Sequence, residues 1–267
     1  MSMRSLSTLG GVAIVVASAA CSSPAVSPSA ASTSLAIYGA SSLKAALAKI
    51  ETAYEAAVPG TTLTVSIDSS AALETKIEQG APADVFLSAD TANPQKLVDK
   101  QLTAGGLTKF AGNLLTVIVP TANPAAIQGP ADLAKPGVKV IAASESVAVT
   151  KYATMLVANL AGEPNYPADF AARYTANIVS KEDNVGAMVA KVELGEGDAA
   201  IVYVTDAKGS TKITVIAVPD AANVPATYAG VVVKASAYAA AATAFLAWLA
   251  GPEGQAVLAA LGFRPAP

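Results

Sequence analysis

The chain has 267 residues, 53% of them hydrophobic, and a formal net charge of −3 from 20 acidic and 17 basic residues. That is enough chain to bury one large core or two modest ones, and too little clustered basic charge for a nucleic-acid-binding surface. The complete absence of histidine excludes Ser-His-Asp and Cys-His catalysis and removes the commonest metal ligand.

The first residues read as a targeting segment. Arg4 gives a basic start, and Leu9 to Ala20 is an apolar run too short to span a bilayer. Residues 1–20 are therefore expected to be a signal peptide. Cys21, the single cysteine, follows Ser18-Ala19-Ala20 at the expected cleavage point, so it has no partner for an internal disulfide. Residues 21–32 are rich in Ser, Pro and Ala and read as a flexible tether.

From Leu35 the pattern alternates between strands and helices. Leu35 to Tyr38 is a strand; Leu43, Leu47, Ile50, Tyr54 and Ala57 then recur at helical spacing, stopped by Pro59-Gly60. Leu63 to Ile67 alternates as a second strand. Ser69-Ser70 opens a helix carrying Leu73 and Ile77, which Gly80 ends and Pro82 keeps from restarting. Val85 to Leu87 is a short buried strand, with Asp90 as N-cap of the next helix. Leu114 to Val119 is an apolar run ended by Pro120. Past it come a strand at Val138 to Ala142, a helix from Lys151 to Leu160, a strand at Ile178-Val179, a helix from Val185 to Glu193 and a strand from Ala200 to Tyr203. Ile213 to Val218 and Val231 to Val233 are further strands, and two closing helices hold Phe245, Leu246, Trp248, Leu249 and Val257, Leu258, Leu261. No internal repeat is visible.

This alternation predicts an α/β protein with mostly parallel sheets. Two such blocks joined by extended runs predict two lobes with a cleft between them. Residues 33–111 with 226–267 are expected to form lobe I, and 112–225 lobe II. Open α/β sheets bind ligands where strands end and helices begin, so such a cleft collects several helix N-termini, each suited to an anion.

The ordered motifs are more specific. They are Tyr38-Gly39-Ala40-Ser41-Ser42-Leu43, Ser69-Ser70, the run from Gly80 to Asp90, Gly112-Asn113-Leu115, Glu182-Asp183-Asn184-Val185, the run from Gly195 to Tyr203, Thr205-Asp206-Ala207, and Gly251 to Gln255 with Gly262-Phe263. In this order the chain resembles the molybdate-binding proteins of bacterial ABC importers, which are type II periplasmic-type binding proteins. The resemblance implies the two-lobed fold with a two-strand hinge and no enzymatic activity. It also implies an oxyanion, molybdate or tungstate, held by neutral donors and no cofactor. Ser42 and Ser70 match the family serines, Val149 and Val185 fall at backbone donors, and Tyr203 matches the tyrosine whose hydroxyl faces the anion. These residues would hold the metal as its oxyanion, not by direct ligation. Cys21 resembles a lipoprotein processing site, which implies a lipid anchor on the outer face of the membrane, or simple secretion if it is not used. The implied partners are the importer's membrane permease subunits, with the receptor itself a monomer.

Other readings stand beside this one. On spacing alone the serines serve as plain helix caps, Val149 and Val185 as core valines, and Tyr203 as a packing residue. Sulfate or phosphate would use similar donors. A ferric site would need clustered tyrosines or carboxylates, and no adjacent tyrosine pair occurs; a hydrolase lacks both histidine and a G-x-S-x-G elbow. Asp68 and Asp183 stand near the expected site, where a carboxylate repels a dianion unless paired or turned away. Val149 and Thr150 are bulkier than the family's usual residues, and Gly186 is smaller. Asp84 and Asp90 read as structural turn and cap residues, and Asp206 as a cap for the segment after Tyr203.

Overall fold

The computed structural model describes residues 1–2, 32–208 and 210–267. Beyond Met1 and Ser2, the expected signal peptide lies outside the described residues, as do Cys21 and all of the tether except Ser32. No helix among the described residues is long and apolar enough to cross a membrane.

The first sheet uses β1 (Thr33–Ala40), β2 (Thr61–Asp68), β3 (Val85–Ser88), β4 (Thr108–Asn113) and β10 (Ala226–Val232), in the order β2-β1-β3-β10-β4. The second uses β5 (Leu115–Pro120), β6 (Val140–Ala143), β7 (Ile178–Glu182), β8 (Ala199–Tyr203) and β9 (Ile213–Ile216), in the order β7-β6-β8-β5-β9. In the first sheet only β10 runs against its neighbours; in the second only β5 does. The two sheets therefore share one topology, each with a reversed strand in fourth place, between its third and fifth. That repeat has no counterpart in the residues.

The helices follow from local pattern. In α1 (Lys44–Ala57), Ala46, Leu47, Ile50 and Tyr54 are buried on one face. Tyr54 packs edge-on against Phe245 at 4.9 Å and Trp248 at 5.1 Å, which seats α8 (Ala239–Ala250) on α1. Gly80 takes φ +86° after α2 (Ser70–Glu78), and Ala81 N–H returns to the Lys76 carbonyl at 2.9 Å. The remaining helices are α3 (Ala92–Asp99), α4 (Ala148–Ala161), α5 (Phe170–Ala176), α6 (Val185–Glu193), α7 (Val204–Ala207) and α9 (Pro252–Ala260).

Several boundaries differ from expectation. The helix expected at Lys151 begins at Ala148, because Thr150 Oγ1 donates to the Ser144 carbonyl at 2.8 Å and so steadies an earlier first turn. Helix α3 begins after Thr91 instead of Asp90, although Asp90 still accepts from Asn93 N–H at 3.0 Å. Strand β4 escapes pattern reading because Thr108-Lys109-Phe110-Ala111-Gly112-Asn113 has no clean alternation. Its Gly112 is required by close approach: a Cβ there would lie 2.7 Å from the Pro265 carbonyl oxygen.

The sheets are joined twice. β4 passes to β5 through Leu114, and the chain returns from β9 to β10 through residues 217–225. Asn223 clips the two crossings together, accepting from Leu115 N–H at 3.0 Å and donating to the Leu115 carbonyl at 2.8 Å.

Candidate anion site

The strands aim their carboxyl ends at one point, and the helices begin there. After β1 the chain makes a 3-10 turn at Ser41–Leu43 that runs straight into α1. After β2, Ser69 caps α2 by accepting from Ala72 N–H at 3.3 Å, which leaves Ser70 as the first helical residue. From the second sheet, Val149 is the second residue of α4. Val185 is the first residue of α6, whose cap Asn184 accepts from Ala187 N–H at 3.0 Å.

All five expected residues, Ser42, Ser70, Val149, Val185 and Tyr203, line one small cavity, with about 10 Å³ open to the centre of a water-sized molecule. It is smaller than the ~300–1,000 Å³ of pockets that hold drug-sized ligands. The rest of its wall is small and neutral, mainly alanine and serine, and no charged side chain among the described residues lines it. The backbone N–H groups of Ser42, Ser70, Val149 and Val185 have no acceptor among the described residues, as first-turn amides do not.

The hydroxyls are set to donate. Ser70 Oγ accepts from Ala89 N–H at 3.1 Å, and Ser42 Oγ accepts from the Tyr228 hydroxyl at 3.0 Å. Tyr203 is buried, with its hydroxyl 3.5 Å from the Ala89 carbonyl. Burial, with smaller contributions from Tyr228, Tyr152, Asp206 and Asp90, raises the Tyr203 pKa well above the usual tyrosine value, so the phenol keeps its proton. Four amides and the Ser42 and Ser70 hydroxyls thus leave six hydrogens without an acceptor at one point, while the Tyr203 hydroxyl donates to the Ala89 carbonyl. Counting by hydrogen-bond chemistry, the site offers donors without a formal positive charge.

The carboxylates of concern are accounted for. Asp68 pairs with Lys76 at 2.8 Å and accepts from Ser69 N–H at 2.8 Å. Burial pushes its carboxyl up, but those two partners outweigh it and hold the pKa below the usual value. Asp183 is exposed. Asp84 is structural, accepting from Ala36 N–H at 2.7 Å and the Ser236 hydroxyl. Thr150 spends its hydroxyl on the carbonyls of Ala143 and Ser144, away from the cavity.

Asp206 caps α7 by accepting from Tyr203 N–H at 3.1 Å. Burial, only partly offset by that bond, raises its pKa to about 7. The native protein therefore holds a proton that an unfolded aspartate loses above about pH 4. Stability contributed by this group falls as pH rises from about 4 to 7 and is level above that. Asp206→Asn keeps the acceptor and removes the titration. Melting curves from pH 5 to 8 should show the variant gaining on the wild type as pH rises; parallel curves would contradict the assignment.

Two features escaped the residue pattern. The first is a tyrosine cluster: Tyr203 stands 5.6 Å from Tyr228 and 6.2 Å from Tyr152, ring centre to ring centre. No two of these are adjacent in sequence, so the absence of a tyrosine pair did not anticipate it. Burial raises all three pKa values, which favours neutral donors over the phenolates a ferric ion needs. The second is the wall formed by Ala89, whose N–H and carbonyl both face site hydroxyls.

Comparison with known proteins matches residues 35–264 to the bacterial extracellular solute-binding protein family. The chain belongs to that family. It is 35% identical over 243 residues to the molybdate-binding protein ModA of Mycobacterium tuberculosis, covering 91% of this chain and 88% of that one. Among solved structures, the substrate-binding domain of a putative molybdenum ABC transporter from Clostridium difficile is 30% identical with a TM-score of 0.66, covering 88% of this chain and all of that one. The sulfate-binding protein SubI of M. tuberculosis aligns with a TM-score of 0.76 at 22% identity, covering 87% of each chain. That last likeness is one of fold. The chain is a solute-binding protein with two five-stranded, mixed sheets in the two-lobed fold.

Proposed function

We propose that the chain is the receptor that captures molybdate, and also tungstate, for an ABC importer, and that it is not an enzyme. One observation carries this reading: four backbone N–H groups and the hydroxyls of Ser42, Ser70 and Tyr203 surround one small cavity, with no charged side chain among the described residues that line it. Molybdate has no proton near neutral pH, so every oxygen accepts. The similarity to ModA supports the choice of ligand. Sulfate has the same charge and donor needs, and only the size of the cavity discriminates against it. Hydrogen phosphate must place an O–H, at about 1–3 kcal/mol if unpaired, and the Ala89 carbonyl at the wall already accepts from the Tyr203 hydroxyl.

In this reading residues 33–111 with 226–267 form one lobe and 112–225 the other, as the membership of the two sheets supports. The lobes close on the anion by hinge motion and present it, as a monomer, to the permease subunits. Cys21 carries the lipid anchor that keeps the receptor at the outer face of the membrane, a role supported by the small residues before it. No cofactor takes part. Calorimetric titration of the protein with molybdate, tungstate, sulfate and phosphate in one buffer tests the ligand. Binding of molybdate and tungstate at least tenfold tighter than sulfate is expected; binding of sulfate or phosphate alone would overturn it.

A further inference from the structure

Tyr228, on β10, is fully buried, its ring set edge-on to Tyr203, Phe110 and Phe263. A buried hydroxyl hydrogen needs an acceptor, and the oxygen that takes it is Ser42 Oγ at 3.0 Å. On its other side the Tyr228 oxygen receives Asn113 Nδ2 at 3.4 Å. The Asn113 amide cannot turn over. Its Oδ1 accepts from Leu114 N–H at 2.9 Å, and its Nδ2 also donates to Thr205 Oγ1 at 2.8 Å. The direction of the chain is therefore set from the crossing between the sheets inward: Asn113 donates to Tyr228, and Tyr228 donates to Ser42.

We propose that Asn113 and Tyr228 are positioning residues of the anion site, a role that rests on the reading of that cavity as an oxyanion site. They occupy Ser42 Oγ as an acceptor from behind and leave its own hydrogen for the cavity. Ser70 reaches the same condition by a different route, through Ala89 N–H. Without the Tyr228 hydroxyl, Ser42 has a free lone pair and no fixed orientation. It then serves an anion carrying its own proton almost as well as one without. The pair thus sharpens the preference for a fully deprotonated oxyanion without touching it. Because Asn113 ends β4, one residue before the crossing to β5, the same bonds make Ser42's readiness depend on how the two sheets are joined.

The test is a double-mutant cycle read by calorimetry, using whichever anion of molybdate, tungstate, sulfate and phosphate binds the wild type most tightly. Tyr228→Phe should weaken that binding roughly 3- to 10-fold, as removal of one supporting hydrogen bond does. In a Ser42→Ala background the same substitution should change affinity less than about twofold, because nothing remains to be oriented. Asn113→Ala, which keeps the tyrosine, should give a smaller loss that also vanishes without the Ser42 hydroxyl. Equal losses in both backgrounds, or no loss on Tyr228→Phe, would overturn the proposal and leave the anion site standing. A wild type that binds none of the four anions would instead remove the site reading, and the proposal with it.

Discussion

Replacing Val185 by proline is expected to weaken molybdate binding roughly 10- to 150-fold, the equivalent of the ~1.5–3 kcal/mol of a hydrogen bond to a charged group. The substitution removes the backbone N–H from the proposed site and puts the proline ring Cδ in its place. Helix α6 does not need that hydrogen, since Val185 is its first residue. Proline is favoured at this position. Asn184, which precedes it, already has the extended backbone (φ −159°, ψ 163°) that a residue before proline adopts. Val185→Ala is the matching control: it keeps the N–H and loses part of a buried side chain. Its stability should fall by roughly 1–3 kcal/mol, with affinity changed less than about threefold. Circular dichroism would confirm that α6 persists in both. If alanine and proline weaken binding equally, the valine side chain matters and the amide does not.

Ser70→Asp should abolish binding at accessible concentrations, with a loss of at least about 1,000-fold. Two unit charges 4 Å apart interact by about 4 kcal/mol at an effective dielectric of 20, and a dianion doubles that. The new carboxylate meets no relieving cation, because no Lys or Arg among the described residues lines the cavity. Ser70→Ala, which only removes one donor, should fall within the range given for Val185→Pro. A carboxylate tolerated at residue 70 would mean that the anion binds elsewhere.

Much of the scaffold was legible in the residues. Helix α6 starts and stops where Asn184 and the end of its apolar face put it, and the buried run Val85 to Leu87 lies in β3. Helix α5 escaped because its buried residues are only Phe170 and Tyr174, too few to set a period. The reversed strand β5 was seen as an apolar run, whereas the strand expected at Val231 to Val233 takes in only the last two residues of β10, and the place of both inside each sheet depends on long-range pairing that local pattern does not carry. The site residues are a different case. In the proposed site Val149 and Val185 contribute backbone N–H groups, to which their side chains bear no witness, and the serines look like ordinary caps. Only the order of motifs along the chain singled them out, and the fold then set all five around one cavity. Tyr228 and Asn113 had no such signal. Tyr228 lies 186 residues from Ser42 in sequence, and its role rests on which atom must donate, a property of the folded structure alone.

The most direct measurement is a crystal structure of the molybdate complex with the metal located by its anomalous scattering. One peak is expected, in the cavity lined by Ser42, Ser70, Val149, Val185 and Tyr203, with the anion's oxygens within hydrogen-bonding distance of those residues. A peak outside that cavity, or an anion there held by a lysine or arginine, would contradict the proposed site.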